Sequence, residues 1–244
     1  MLSILNRISN YFKTNKVAIV IKSPEQIEGI RKSAQLAAKT LKYIEPFVKP
    51  GVKTKELDAL IESFVRENGA LPATKGYRGF KHASCISPND VVCHGVPNDT
   101  VLNNGDIVNI DVTTILNGYF GDTCTMYYVD EPSEYAKKLV ETTNECLRLG
   151  MQECKPGANL GNVGAAIAEH AHKNGYSVVF EFCGHGVGLK FHEEPDVQHI
   201  AERGTGPILK PGMIFTIEPM INAGKARCKI DRKDGWTART IDSK

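Results

Sequence analysis

Two acids, Asp111 and Asp122, stand in stretches otherwise suited to burial. Asp111 closes the run Ile107-Val108-Asn109-Ile110, Asp122 opens Asp122-Thr123-Cys124-Thr125 after Gly121, and Asn117-Gly118 lies between them. Asn-Gly flanked by β-branched and aromatic residues is a strong hairpin signal. Alternation along the two strands then lets both acids face one side. A carboxylate taken out of water without a partner is too costly to keep ionised, so acids sharing a buried face need a common cation. Taken alone, a turn cap and a strand end would explain the pair as well. A third acid, Glu218, weighs against that, because it ends Ile214-Phe215-Thr216-Ile217 as Asp111 ends its own strand.

Three histidines add to the set. His185 lies inside Gly184-His185-Gly186-Val187-Gly188, His192 inside Phe191-His192-Glu193-Glu194-Pro195, and His94 inside Val91-Val92-Cys93-His94-Gly95. Glycines allow close backbone approach and leave an imidazole open to a ligand. A histidine held by one hydrogen bond in a turn is the plainer account of any single one, and it stands for His82, His170, His172 and His199. For three histidines at strand ends together with three matched acids, a common site is the better account. An oxygen-rich set with one imidazole suits Mn, Fe(II), Co or Zn. Two such ions sharing a water would bring its pKa toward neutrality and hold it as a nucleophile, which is the chemistry of hydrolysis.

The elements that must position these residues read as a repeat. Ser23-Pro24-Glu25 predicts a capped helix with Ile27, Ile30, Ala34, Ala37 and Leu41 at helical spacing, ending near Lys49-Pro50-Gly51. Thr54 is expected to cap a second helix that stops at Asn68-Gly69. The order recurs: a helix from Ser133 with Tyr135, Leu139 and Leu147, then Lys155-Pro156-Gly157, then a helix capped near Asn159 with Val163 and Ile167 inside that stops at Asn174-Gly175. The strands repeat too, Leu102 to Asp111 matching Leu209 to Glu218 at Leu, Gly, Ile, Ile and a terminal acid. Two αβ halves, about 23–130 and 131–244, would bring their acids together in a cleft between them. The predicted class is α+β, with helices outside a curved, mainly antiparallel sheet. By the same logic a return strand with a further acid should follow Glu218, but Asp231 to Asp242 is too polar to be it, so the last strand is expected to be missing.

The totals exclude several classes. A chain of 244 residues, 41% hydrophobic, can bury a large core, and a net charge of +2 from thirty basic and twenty-eight acidic residues requires neither nucleic acid nor an anionic membrane. Seven cysteines without a Cys-x-x-Cys pair fit a reducing compartment, taken here as the cytosol. Residues 1–16 read as a short amphipathic extension ahead of a catalytic domain over 17–244. No run of the sequence is long and apolar enough to predict a transmembrane span.

From about Ser23 to Thr237 the chain resembles type I methionine aminopeptidase, of the pita-bread fold family. The resemblance rests on Asn109-Ile110-Asp111-Val112, Gly121-Asp122-Thr123, Gly184-His185-Gly186-Val187-Gly188, Phe191-His192-Glu193-Glu194-Pro195 and Thr216-Ile217-Glu218-Pro219-Met220, in that order. It implies a pita-bread fold and two divalent ions, Co, Mn, Fe(II) or Zn, held by Asp111, Asp122, His185 and Glu218, with Asp122 bridging. Glu218 would also take the proton of the attacking water. His192 would bond the carbonyl oxygen, and His94 would sit by the scissile nitrogen. Tyr77, Phe80, Cys85, Phe191 and Trp236 would form the methionine pocket, where a thioether makes favourable sulfur-aromatic contacts. The implied substrate is the N-terminus of a nascent polypeptide with a small second residue, met at the ribosome, and the implied state is a monomer. The family's fifth ligand, a glutamate beyond Asp234-Gly235-Trp236-Thr237, has no counterpart before Lys244, which bears most on the second ion. The alternatives are a relative of prolidase or aminopeptidase P with the same ligand set, and a binding protein with an impaired site.

Overall fold

The computed structural model describes residues 18–244, so the amphipathic extension expected over 1–16 lies outside the described residues. Its helices are α1 (Pro24–Ile44), α2 (Thr54–Glu67), α3 (Glu134–Gln152) and α4 (Gly161–Lys173). Ser23 caps α1 as predicted: its hydroxyl accepts the Gln26 N–H at 3.2 Å, and the Gln26 side chain accepts the Ser23 N–H at 2.9 Å. Two caps differ from expectation. α2 has Lys53 at its cap, because the Thr54 hydroxyl is committed elsewhere, donating to the Asn98 carbonyl at 3.1 Å and accepting the Asn98 N–H at 2.9 Å. α4 follows Leu160, while the Asn159 amide donates to the Gly206 carbonyl. On α3 the buried positions are Val140, Thr142, Cys146 and Gly150, and Tyr135 turns outward at 58% exposure.

The first strands are β1 (Leu71–Pro72), β2 (Cys85–Pro88), β3 (Val91–Cys93), β4 (Ile107–Leu116) and β5 (Tyr119–Tyr128). β6 (Ser177–Val178), β7 (Gly184–Gly186), β8 (Glu193–Val197), β9 (Ile221–Asn222), β10 (Cys228–Ile230) and β11 (Ala238–Thr240) follow. All pairings are antiparallel: β4 joins β5, β1 and β2, β6 pairs β9, β7 pairs β8, and β11 lies between β10 and β3, so the Asp231–Asp242 stretch expected to be too polar for a strand does hold one, with Ala238 and Thr240 buried. The β4–β5 hairpin turns on Asn117 (φ 53°) and Gly118 (φ 82°), both left-handed as a two-residue type I′ turn requires.

Equivalent hydrogen bonds recur in the two halves. The Gly51 N–H donates to the Leu102 carbonyl at 2.9 Å and Leu102 returns to Val52 at 2.9 Å; Gly157 and Leu209, then Leu209 and Ala158, do the same at 2.9 and 2.8 Å. Each half also has its own core. Leu57, Ile61, Ile86, Val108 and Ile110 fill one, and Cys146, Val163, Ile167, Val178 and Leu209 fill the other. The segment Ile214 to Glu218, expected to be a strand like β4, is extended but forms one bridge only, between Phe215 and Gly186. Its ladder stops because the Glu218 N–H goes to the ring of His199 rather than to a strand.

Candidate active site

The hairpin register fixes the first two acids. Asp111 pairs with Cys124 and Asp122 with Thr113, so the acids lie two positions apart on one face. His185 comes to them from β7, and Glu218 from the extended segment that follows the turn at Gly212. His185 Nε2 lies 3.5 Å from Asp122 Oδ2 and 3.6 Å from Glu218 Oε1. The other ring nitrogen, Nδ1, is 2.9 Å from the Gly186 carbonyl, which can only accept. Nδ1 therefore carries the proton of the neutral ring, and the Nε2 lone pair faces the carboxylates.

Threonines hold two of the acids in place. Thr113 donates to Asp122 at 2.8 Å, and Thr216 donates to Glu218 at 2.6 Å while also accepting the His185 N–H at 2.9 Å. Behind Glu218, His199 is 1% exposed and its Nε2 accepts the Glu218 N–H at 3.2 Å. Burial presses His199 down to about 4, so it is a neutral acceptor at physiological pH.

The electrostatics are those of acids crowded out of water. Burial, then the charges of Asp122 and Glu218, push Asp111 well above the ordinary carboxylate range. Burial and Asp122 raise Glu218 to about 7 against the pull of Thr216 and His185. Burial opposes charge on His185, but the hydrogen bonds the protonated ring donates to Asp122 and to the Gly186 carbonyl, with the charge of Glu218, outweigh it and raise the imidazole. Among the described residues no Lys or Arg pairs with any of the three acids, and no group of three or more His, Cys, Asp or Glu side chains is drawn into a finished metal cage. The side chains bond to threonines and to one another instead. The donor set nevertheless fits a divalent ion in kind: oxygens from three acids and one ring nitrogen line the same cavity, and no Lys or Arg pairs with those acids among the described residues.

A cavity of about 690 Å³ is lined by the three acids and His185 together with His94, His192 and the five residues expected to form the side-chain pocket. Tyr77 packs on Phe191 with centroids 4.8 Å apart, and Phe80 meets Trp236 edge-on at 5.2 Å. Cys85 is buried in β2 level with Asp111, and burial with that neighbouring charge keeps its thiol protonated. His192 stacks on Tyr77 at 5.1 Å and lies 4.0 Å from the His185 ring. Burial and the His185 charge lower His192 to about 4. His94 follows β3 with φ 55°, and burial lowers it too. Beside it Gly95 is required, since a Cβ there would run into the Ile86 carbonyl.

Sequence reasoning missed Thr113, Thr216 and His199. A Thr two positions before a strand-end acid was a usable signal for Thr216. For His199 only the tertiary contact tells.

The model of Metallopeptidase family M24 matches residues 28–242. A methionine aminopeptidase from Escherichia coli (strain K12) is 51% identical over 228 residues, covering 93% of this chain and 86% of the relative. Among solved structures, the methionine aminopeptidase from Rickettsia prowazekii superposes with a TM-score of 0.91 at 45% identity, covering 93% of this chain and 91% of that one. The prolidase from Pyrococcus furiosus superposes with a TM-score of 0.73 at 29% identity, covering 82% of this chain and 57% of that one.

Proposed function

The chain belongs to metallopeptidase family M24 and has its pita-bread fold, and on that footing we propose that it is a metal-dependent aminopeptidase removing N-terminal methionine from polypeptides with a small second residue. One observation carries this reading: the three acids and His185 line the same cavity as the aromatic side chains of Tyr77, Phe80, Phe191 and Trp236. The likeness to relatives named methionine aminopeptidase extends over nearly the whole length of both chains, whereas the prolidase is matched over little more than half.

Asp111, Asp122, His185 and Glu218 would hold two divalent ions, which when bound supply Lewis acidity and lower the pKa of water toward neutrality. Glu218 takes the proton of the attacking water and returns it to the leaving amine. His192, held neutral, donates a ring N–H to the carbonyl oxygen as negative charge develops there. His94 faces the scissile nitrogen from the other side. Tyr77, Phe80, Cys85, Phe191 and Trp236 receive the methionine side chain. Its substrates are nascent chains, and all seven cysteines are free, in keeping with work in the cytosol. Among the described residues no helix is long and apolar enough to cross a membrane.

Release of methionine from Met-Ala-Ser, compared with cleavage of Ala-Pro peptides in the presence of Mn(II) or Co(II), tests the reading. Cleavage confined to Met-Ala-Ser is the expected result. Cleavage of the prolyl peptide alone would overturn it.

A further inference from the structure

One wall of the cavity comes from chain ahead of the first helix. Ala18 and Val20 line it, and two residues further on Lys22 turns inward, its side chain 0% exposed. The Lys22 ammonium meets Glu193 at 2.6 Å, and the Glu193 side chain is 6% exposed. A buried ion pair is costly unless further hydrogen bonds satisfy its members, and the Glu193 carboxylate has them. The second Glu193 oxygen accepts the backbone N–H groups of Leu189 at 2.6 Å and Lys190 at 2.9 Å. Burial works against the Glu193 charge, but Lys22 and these donors hold the carboxyl below its usual range. The Lys22 N–H in turn donates to the Gly212 carbonyl at 2.8 Å, in the turn that leads to Glu218.

One carboxylate thus closes the turn from Leu189 to Glu193 on itself and ties it to the entering chain. Phe191 and His192 stand inside that turn. Phe191 contacts Tyr77 and, more distantly, Phe120 at 6.2 Å, while His192 stacks on Tyr77 and meets the tilted ring of His185. Aromatic contacts alone leave two adjacent rings free to slide along their faces. The backbone clamp from Glu193 removes that freedom.

We infer that Lys22 and Glu193 are positioning residues, which fix the Leu189–Glu193 turn and so set Phe191 in the pocket and His192 against the substrate carbonyl. The inference rests on the functional reading above for what the two rings do, and on the ion pair and its backbone bonds for how they are held. A misplacement of about 1 Å in such a group costs on the order of a hundredfold in rate.

The test uses the full chain with Lys22→Met, Lys22→Arg and Glu193→Gln. The His192 ring proton resonance is read by NMR in the metal-free protein labelled at histidine, and kcat and KM are read on Met-Ala-Ser. Lys22→Met should move the His192 resonance and lower kcat/KM by about tenfold to a hundredfold, with kcat carrying part of the loss. Lys22→Arg, which keeps the charge, should recover part of both. A folded Lys22→Met protein with the wild-type resonance and wild-type kcat/KM overturns the inference. Should Lys22→Met fail to fold, Glu193→Gln, whose single amide oxygen cannot serve both the two backbone N–H groups and the Lys22 ammonium, decides on the same readouts: a shifted resonance supports the inference and an unchanged one overturns it. A wild-type chain inactive on Met-Ala-Ser would sink the functional reading, yet the resonance would still report on the clamp.

Discussion

Asp111 and Asp122 stand diagonally across the β4–β5 hairpin, Asp111 level with Cys124 and Asp122 with Thr113, on one face of the sheet. The ladder, not a loop, sets their separation, so either side chain can be changed without loosening the other. Asp111→Asn should therefore keep the circular dichroism and melting curve of the wild type, lose the second metal in calorimetric titration, and turn over Met-Ala-Ser far more slowly. Wild-type turnover in that variant would refute the role given to Asp111.

Metal binding should expel protons. Burial raises Asp111 well above its ordinary value and lifts Glu218 to about 7, so below neutrality Glu218 holds a proton in the metal-free fold and Asp111 is biased the same way. The sign follows: a folded-state pKa above the unfolded one favours the protonated form, and a ligand that needs the carboxylate must compete with it. Affinity for Mn(II) should fall as pH drops below about 7, by up to about tenfold per unit for each proton displaced. Calorimetry in two buffers of different ionisation enthalpy counts the protons. An affinity flat from about pH 5 to pH 8 would contradict this.

Gly121→Ala should loosen the hairpin's seat on α1. A Cβ at this position would collide with the backbone of Ser33 and Ala34, where no rotamer change relieves the clash. Overpacking of this kind costs about 1–3 kcal/mol. The melting temperature should drop, and metal affinity with it because Asp122 is the next residue. An unchanged melting temperature would show that the contact is not as close as described.

Phe80→Ala should relax side-chain selection. Phe80 is 4% exposed and presents its ring edge-on to Trp236 at 5.2 Å, so truncation widens the pocket without touching the acids. KM for Met-Ala-Ser should rise, and preference for methionine over leucine at the first position should weaken by about tenfold. An unchanged preference ratio would remove Phe80 from the pocket wall.

Much of this was legible in the sequence because local rules and the repeat agreed. Ser23-Pro24 wrote the start of α1, Asn117-Gly118 wrote the hairpin, and the matched Lys-Pro-Gly and strand segments pointed to Asp111 and Glu218 as partners. What was not legible depended on groups distant in the chain. The Thr54 hydroxyl bonds Asn98 rather than capping its helix, and α3 buries Val140 and Cys146 rather than Tyr135 because of the helix it packs against. His199 looked like an ordinary turn histidine until its ring was seen under the Glu218 N–H. Lys22 and Glu193, 171 positions apart, carried no sequence signal of their pairing.

The central claim is that Asp111, Asp122, His185 and Glu218 converge on divalent cations. Crystals of the full chain grown with Mn(II), measured at a wavelength where manganese scatters anomalously, test it most directly. The account predicts anomalous density among these four side chains, within the cavity that also holds His94 and His192. A difference map with peaks only elsewhere on the molecule, or with none, would contradict it.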